Sequence, residues 1–306
     1  SMQTWIAHQL LTIRSLCGPM RMITSSKMVN PPFVQFGISE RKRPLLISVP
    51  HSGRDYPPGF ALLSRLPVAQ LKPFEDRYAD LLVTQAVNAG HAAMVARVPR
   101  VWIDLNRSER EFDPALVCAA QGMVPHSTAK VRGGLGIVPR RIQRGGDIWR
   151  GMISADAFEA RLDGIHRPWH QTIATVLNDL NAAYGAAVLL DVHSMPPLPR
   201  STNGQKAPQV VIGDLFGRSA RGQFSRTALQ VAERHGFEVR LNAPYAGGHV
   251  LECHGQPARG IHAIQVELDR SLYLDSALDQ PGPGLVRCCA FVRDLADSLA
   301  DEALAM

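Results

Sequence analysis

Two stretches of this chain share one plan, LLISVPHSG at 45–53 and AAVLLDVHSMPP at 186–197. Each is a short apolar run that ends in a His–Ser dipeptide, His51–Ser52 and His193–Ser194. Short apolar runs without polar alternation read as strands buried on both faces, the mark of a parallel sheet covered by helices. The carboxyl ends of such strands are where open α/β sheets bind ligands. A lone histidine beside a strand is more often structural than functional, but chance explains one such ending far more easily than two. The repeated plan therefore predicts an α/β fold that brings His51 and His193 to one edge of a doubly wound, mostly parallel sheet.

Further strands are expected at 92–98, 101–105, 209–213 and 262–268, with 237–242 alternating as an edge strand would. Helical periodicity covers 75–89, where Tyr78, Leu81, Leu82 and Ala86 share a face and Gly90 is a stop. It recurs over 154–183, with Ser154 as N-cap, and over 218–235 and 284–304. Alternating strands and helices argue for one domain over 31–306. Residues 106–150 and 194–208 read as long functional loops. Residues 1–30 carry Arg14, Arg21 and Lys27 but no acid, and read as a dispensable N-terminal extension.

The 306 residues are 45% hydrophobic and 20% charged, enough to bury a sizeable core, and no apolar run is long enough to span a bilayer. The net charge of +6 is scattered rather than gathered into a basic stripe with aromatics, which disfavours a nucleic-acid partner. The five cysteines form no CxxC pair, so free thiols in a reducing, cytoplasmic compartment are expected. Oligomeric state is not readable from the chain.

Two histidines with one carboxylate and an open position make a hydrolytic zinc site. The block FEDRYADLL supplies the acids Glu75, Asp76 and Asp80, any of which also suits a helix start. Asp191, two residues before His193, is placed to hold that imidazole from behind. Asn106 and Arg107 in DLNR pair an amide with a planar guanidinium, a combination suited to a carboxylate. Glu267 sits deep in the apolar run HAIQVEL, where a carboxylate is costly unless paired or used. It is the expected general base, unless it pairs with Arg270.

These blocks, VPHSG, EDRYADLL, DLNR, DVHSMP and GQPARGIHAIQVEL, resemble the N-formylglutamate amidohydrolase family over residues 40 to 280. The resemblance implies a phosphorylase/hydrolase-like three-layer sandwich, similar to the zinc carboxypeptidases, and a Zn2+-dependent amidohydrolase of amino-acid metabolism such as histidine degradation. It implies His51, Asp76 and His193 as metal ligands, Asp76 being preferred to Glu75 by its match to the family's acid. It implies a small N-acyl amino acid as substrate, with Asn106 and Arg107 on its carboxylate. Arg140 or Arg100 is the expected partner of a second carboxylate, and His249 or His254 the expected polar lining from AGGHVLECHG. The chain departs from the family at Arg77, where a Trp is common, and in CHGQP, where an aromatic usually follows the histidine. A peptidoglycan amidase, an aspartoacylase-like amidase and a metal-free carboxylate-binding module are the competing readings, and metal content separates the last from the rest.

Overall fold

A computed structural model describes residues 30–142, 146–199 and 206–306. The expected N-terminal extension lies outside the described residues apart from its last residue, Asn30. In chain order the main elements are β1 (Phe33–Phe36), β2 (Leu45–Val49), α1 (Ala79–Leu82), α2 (Thr84–Asn88), β3 (Ala92–Ala96), α3 (Ala155–Arg161), α4 (Arg167–Tyr184), β4 (Ala187–Met195), β5 (Val210–Gly213), α5 (Gly222–Arg234), β6 (Val239–Leu241), α6 (His249–His254), β7 (Ile261–Asp269) and α7 (Leu285–Leu304).

The seven strands form one sheet in the order β1-β3-β2-β4-β7-β5-β6. Its centre is parallel, β3 with β2, β2 with β4 and β4 with β7, while β1 and β5 join antiparallel to their neighbours β3 and β7. The fold is thus α/β with a mainly parallel sheet. Alternate side chains of each strand enter opposite cores. Leu46, Leu189 and Ala263 pack with Trp169, Ile173 and Leu177 of α4. Leu45, Ile47, Leu190 and Ile264 pack with Phe224 and Ala228 of α5 and with Phe291 and Leu295 of α7. Every residue of β2 and of β4 is buried, which is why the stretches leading to Ser48 and to Asp191 read as apolar runs without alternation. Truncating Leu190 to Ala would cost about 2–5 kcal/mol at such a site.

Several elements differ from expectation. Residues 101–105 are not a strand: Trp102 N donates to Pro99 O and Asp104 N to Ile137 O, so the run crosses the strand ends as a buried loop. Its apolar residues Val101, Trp102, Ile103 and Leu105 are buried against other elements, which mimics a strand pattern. The helix expected over 75–89 begins only at Ala79, because Tyr78 takes a left-handed backbone with φ 58°. Glu75 and Asp76 therefore precede the helix, and Asp76 does not share a helical face with Asp80. Strand β1 carries no clear alternation and was not expected. The segment 106–150 contains the short helix Ala129–Arg132, capped by Thr128. Ser194 and Met195, expected in a loop, continue β4. Ser154 caps α3 as expected, its side chain accepting from Ala157 N.

Candidate active site

The register of the central strands builds the site in rows. Ser48 on β2 pairs with Asp191 on β4, and Asp191 with Gln265 on β7. One step further toward the carboxyl end of the same face, His193 pairs with Glu267. Since side chains alternate, Asp191 and His193 both project from the face that also carries Leu189. The apolar floor thus gives way to a polar row at the strand ends. His51 arrives two residues after β2, and its carbonyl accepts from Asp76 N at 3.0 Å, which fixes the turn bearing Asp76 beside it.

His51, Asp76 and His193 converge, with one ligand atom from each lying within 4.8 Å of the others. Asp76 Oδ2 is 3.0 Å from His193 Nδ1 and 3.6 Å from His51 Nδ1. The outer nitrogens are held by carboxylates: His193 Nε2 lies 2.8 Å from Asp191 Oδ2 and His51 Nε2 lies 2.7 Å from Asp104 Oδ1. Those acids are themselves anchored. Ser48 Oγ donates to Asp191, and Arg100 Nε and Asn106 N donate to Asp104. The remaining Asp76 oxygen accepts from Arg270 Nη2 at 3.0 Å, so Arg270 pairs with Asp76 and not with Glu267.

All three residues are buried. Burial works against charge on His193, but the Asp191 and Asp76 carboxylates overcome it and hold the imidazole pKa well above its usual range. Burial likewise opposes ionisation of Asp76, and the two histidines hold it well below the usual carboxylate range. Asp104 is also held low, burial being outweighed by Arg100, His51 and Arg107. The cluster therefore favours positive charge at the point where its three ligand atoms face one another. Two imidazoles with carboxylate-bound outer nitrogens and one carboxylate are the donor set of a hydrolytic zinc site, and the residues fit that ion.

Glu267 faces the same cavity of about 440 Å³, lined also by Arg100, Asn106, Arg107, Lys130 and Arg270. Burial pushes its carboxyl up to about 7, with His193 opposing and Asp76 adding. Gln265 Nε2 donates to Glu267 Oε1 at 3.0 Å and orients it. Arg107 donates to the carbonyls of Asn106 and Leu135 and not to Glu109 or Glu111. Among the described residues neither Arg107 nor Lys130 forms an ion pair, although both line the cavity. Burial lowers both pKa values, and Arg107 itself adds to the lowering of Lys130. Two unpaired cations in a confined space create a field that an anionic ligand relieves.

Asn106 is more constrained than a simple binding residue. Its Oδ1 accepts from Val250 N at 2.8 Å, and its Nδ2 lies 3.4 Å from His193 Nε2. Gly248 permits this approach, because a Cβ there would sit 2.5 Å from Asn106 Oδ1. Ala246, Gly247 and Gly248 do line the cavity, as AGGHVLECHG led one to expect, but His249 and His254 do not. His254 lies behind the site, 2.9 Å from His170, and its pKa is pushed down to about 4 by burial. Arg140 is also outside the cavity, its charge taken by Asp113 at 2.6 Å and Asp147 at 3.4 Å. Of the other acids in FEDRYADLL, Glu75 accepts from Tyr56 and Arg77, and Asp80 pairs with Arg54, so neither approaches the histidines. Lys130 and Tyr245 were not foreseen; Lys130 arrives from the short helix Ala129–Arg132 and Tyr245 from a separate loop, and neither carries a local motif. Asp104 had a signal, an acid enclosed by apolar residues two before Asn106, which the strand reading of 101–105 hid.

A polar cavity at the carboxyl ends of a mainly parallel sheet, with paired histidines beside a half-buried glutamate, is where an α/β enzyme binds and converts its ligand. The sequence profile of the N-formylglutamate amidohydrolases matches residues 43–274. A Pseudomonas aeruginosa protein named N-formylglutamate deformylase is 30% identical over 236 residues, spanning 76% of this chain and 82% of the relative. A Pseudomonas putida protein of the same name is 29% identical over 243 residues, with the same coverage of 76% and 82%. The crystal structure of N-formylglutamate amidohydrolase from Ralstonia eutropha shares the fold, with a TM-score of 0.81 at 24% identity over 90% of this chain and 99% of that one. A gene product of Agrobacterium tumefaciens shares it more distantly, with a TM-score of 0.64 at 15% identity over 89% and 96% of the two chains. The protein is therefore an enzyme, a hydrolase acting on linear amide C–N bonds. It belongs to the N-formylglutamate amidohydrolase family.

Proposed function

We propose that this enzyme is zinc-dependent and removes the N-formyl, or a short N-acyl, group from an acidic amino acid, with N-formyl-L-glutamate yielding glutamate and formate as the principal reaction. The observation that carries this reading is the convergence of His51, Asp76 and His193 beside Glu267, in a cavity whose Arg107 and Lys130 lack acidic partners among the described residues. Relatives named N-formylglutamate deformylase support the substrate.

Zinc held by His51, Asp76 and His193 would supply a Lewis acid that polarises the amide carbonyl and makes water acidic enough to ionise near neutral pH. Glu267 takes a proton from the attacking water. A carboxyl with pKa about 7 is matched to that task, because it is a usable base at neutral pH and a usable acid afterwards. Glu267 then returns the proton to the departing amine as the C–N bond breaks. Arg107, with Asn106 at the same turn, holds one substrate carboxylate; Lys130 and Arg100 attract the second. Asp104 and Asp191 keep the two imidazoles from turning, which preserves the ligand geometry through the cycle.

Within the α/β class, we read the fold as a three-layer, phosphorylase/hydrolase-like sandwich, supported by the two cores on opposite faces of the sheet. Among the described residues Cys118, Cys253, Cys288 and Cys289 are free thiols, which supports a reducing, cytoplasmic setting, and the relatives named N-formylglutamate deformylase support a role in amino-acid breakdown. The test is formate release from N-formyl-L-glutamate against N-formyl-leucine. A preference of about 100-fold or more for the acidic substrate is expected if two cations read the second carboxylate; equal turnover contradicts it.

A further inference from the structure

Behind the Asn106–Arg107 turn lies a second convergence of ligating groups. His170, on α4, donates Nε2–H to Leu105 O at 3.0 Å, which leaves its Nδ1 bare. That nitrogen faces His254 Nε2 at 2.9 Å, so one proton is shared between two buried or half-buried imidazoles. The Cys253 thiol completes a group whose three ligand atoms lie within 4.8 Å of one another. Cys253 is exposed, and the group borders a cavity of about 280 Å³ walled by Gln171, Asn178 and Gln256, so ions have a path of entry. None of these residues lines the cavity that holds His51 and His193.

We propose that His170, His254 and Cys253 form a second site for a divalent transition-metal ion, distinct from the active site. Two imidazoles and a thiolate with an open position toward solvent suit zinc or cobalt and disfavour calcium or magnesium, which require oxygen donors. The main-chain carbonyl of Leu105 orients His170, as an outer partner does for metal-bound histidines. On binding, the Cys253 thiol releases its proton to solvent. The proton on His254 Nε2 moves to its Nδ1, and the ion takes the place of the shared proton.

The site joins two elements that brace the substrate turn. His254 ends α6, whose Val250 N holds Asn106 Oδ1, and His170 holds the carbonyl of Leu105. An ion there ties α6 to α4 on either side of the Asn106–Arg107 turn, acting as a clamp and not as a reactant.

Cobalt titration of the full-length, chelator-stripped enzyme tests this independently of catalysis, because the active-site ligands include no sulfur. Thiolate-to-cobalt charge transfer in the near ultraviolet is expected to appear and to saturate by two equivalents, the active site taking the other ion, and to saturate at one equivalent in His193→Ala. Cys253→Ser, at an exposed position that tolerates the change, should abolish the band, and His193→Ala should leave it intact. A second variant, His170→Gln, should weaken cobalt binding at this site by at least tenfold. No charge-transfer band in the unaltered enzyme, or a band that survives Cys253→Ser, would overturn the proposal. Either result leaves the active-site reading standing, since metal lost through His193→Ala is scored separately.

Discussion

His193 and Glu267 stand side by side on adjacent parallel strands, paired in register between β4 and β7. The pairing places a prospective metal ligand and a prospective base on one face of one ladder, where backbone hydrogen bonds fix their spacing. Neither residue depends on a flexible loop for its position. Asp191 and Gln265, the pair one step back on the same face, each support the residue ahead of them.

Removing the ligand should remove the ion. His193→Ala is expected to lose the active-site metal and formate release together, read by metal analysis and assay of the same preparation. Retained activity without that metal would contradict the ligand assignment.

Glu267→Gln separates chemistry from metal binding. The amide keeps the shape and cannot accept a proton, so turnover should fall about 10²–10⁴-fold while the metal stays bound. In the unaltered enzyme, kcat/KM should rise with pH as Glu267 ionises through about 7, a limb that bound cation moves to lower pH and that the variant loses.

The same glutamate should cost stability. The fold raises its pKa from 4.5 to about 7, so between those values the folded state holds the proton more tightly than the unfolded chain does. Stability is then lost as pH rises through that window and stays lost above it. Chelator-treated Glu267→Gln should therefore melt higher than the unaltered protein at about pH 8, with the advantage vanishing near 4.5. An equal advantage at both pH values would show that ionisation is not the cause.

Asp191→Asn tests the support behind the metal ligand. It retains volume but weakens the hold on His193 Nε2, and metal affinity should drop about 10–100-fold. Competition with a chelator of known affinity measures the change; an unaltered affinity would make Asp191 merely structural.

For the substrate cations, Arg107→Ala and Lys130→Ala should each lower kcat/KM for N-formylglutamate by about 10–100-fold, while N-formyl-leucine loses less in the Lys130 variant. Equal losses on both substrates in that variant would move the second carboxylate elsewhere.

The histidines were legible because two apolar runs ended alike, and parallel strands end at a common edge. The place of Glu267 at the cavity was legible because a carboxylate in such a run must be paired or used. The choice among Glu75, Asp76 and Asp80 was not, since it turns on the left-handed Tyr78, which ends the preceding turn and keeps Asp76 out of the helix. Arg140 misled because the sequence does not disclose that Asp113 and Asp147 take its charge. His254 misled because six residues of helix carry it to the far side of Asn106. Lys130 could not be read at all. It reaches the cavity from a four-residue helix whose docking is decided by tertiary contacts and not by local pattern.

The most direct test of the central claim is metal content of the purified enzyme, with N-formyl-L-glutamate hydrolysis assayed before chelation, after it and after zinc is restored. The account predicts zinc bound at His51, Asp76 and His193 in an active enzyme, loss of formate release on chelation and its recovery with zinc. Full hydrolysis by thoroughly metal-free protein would contradict it.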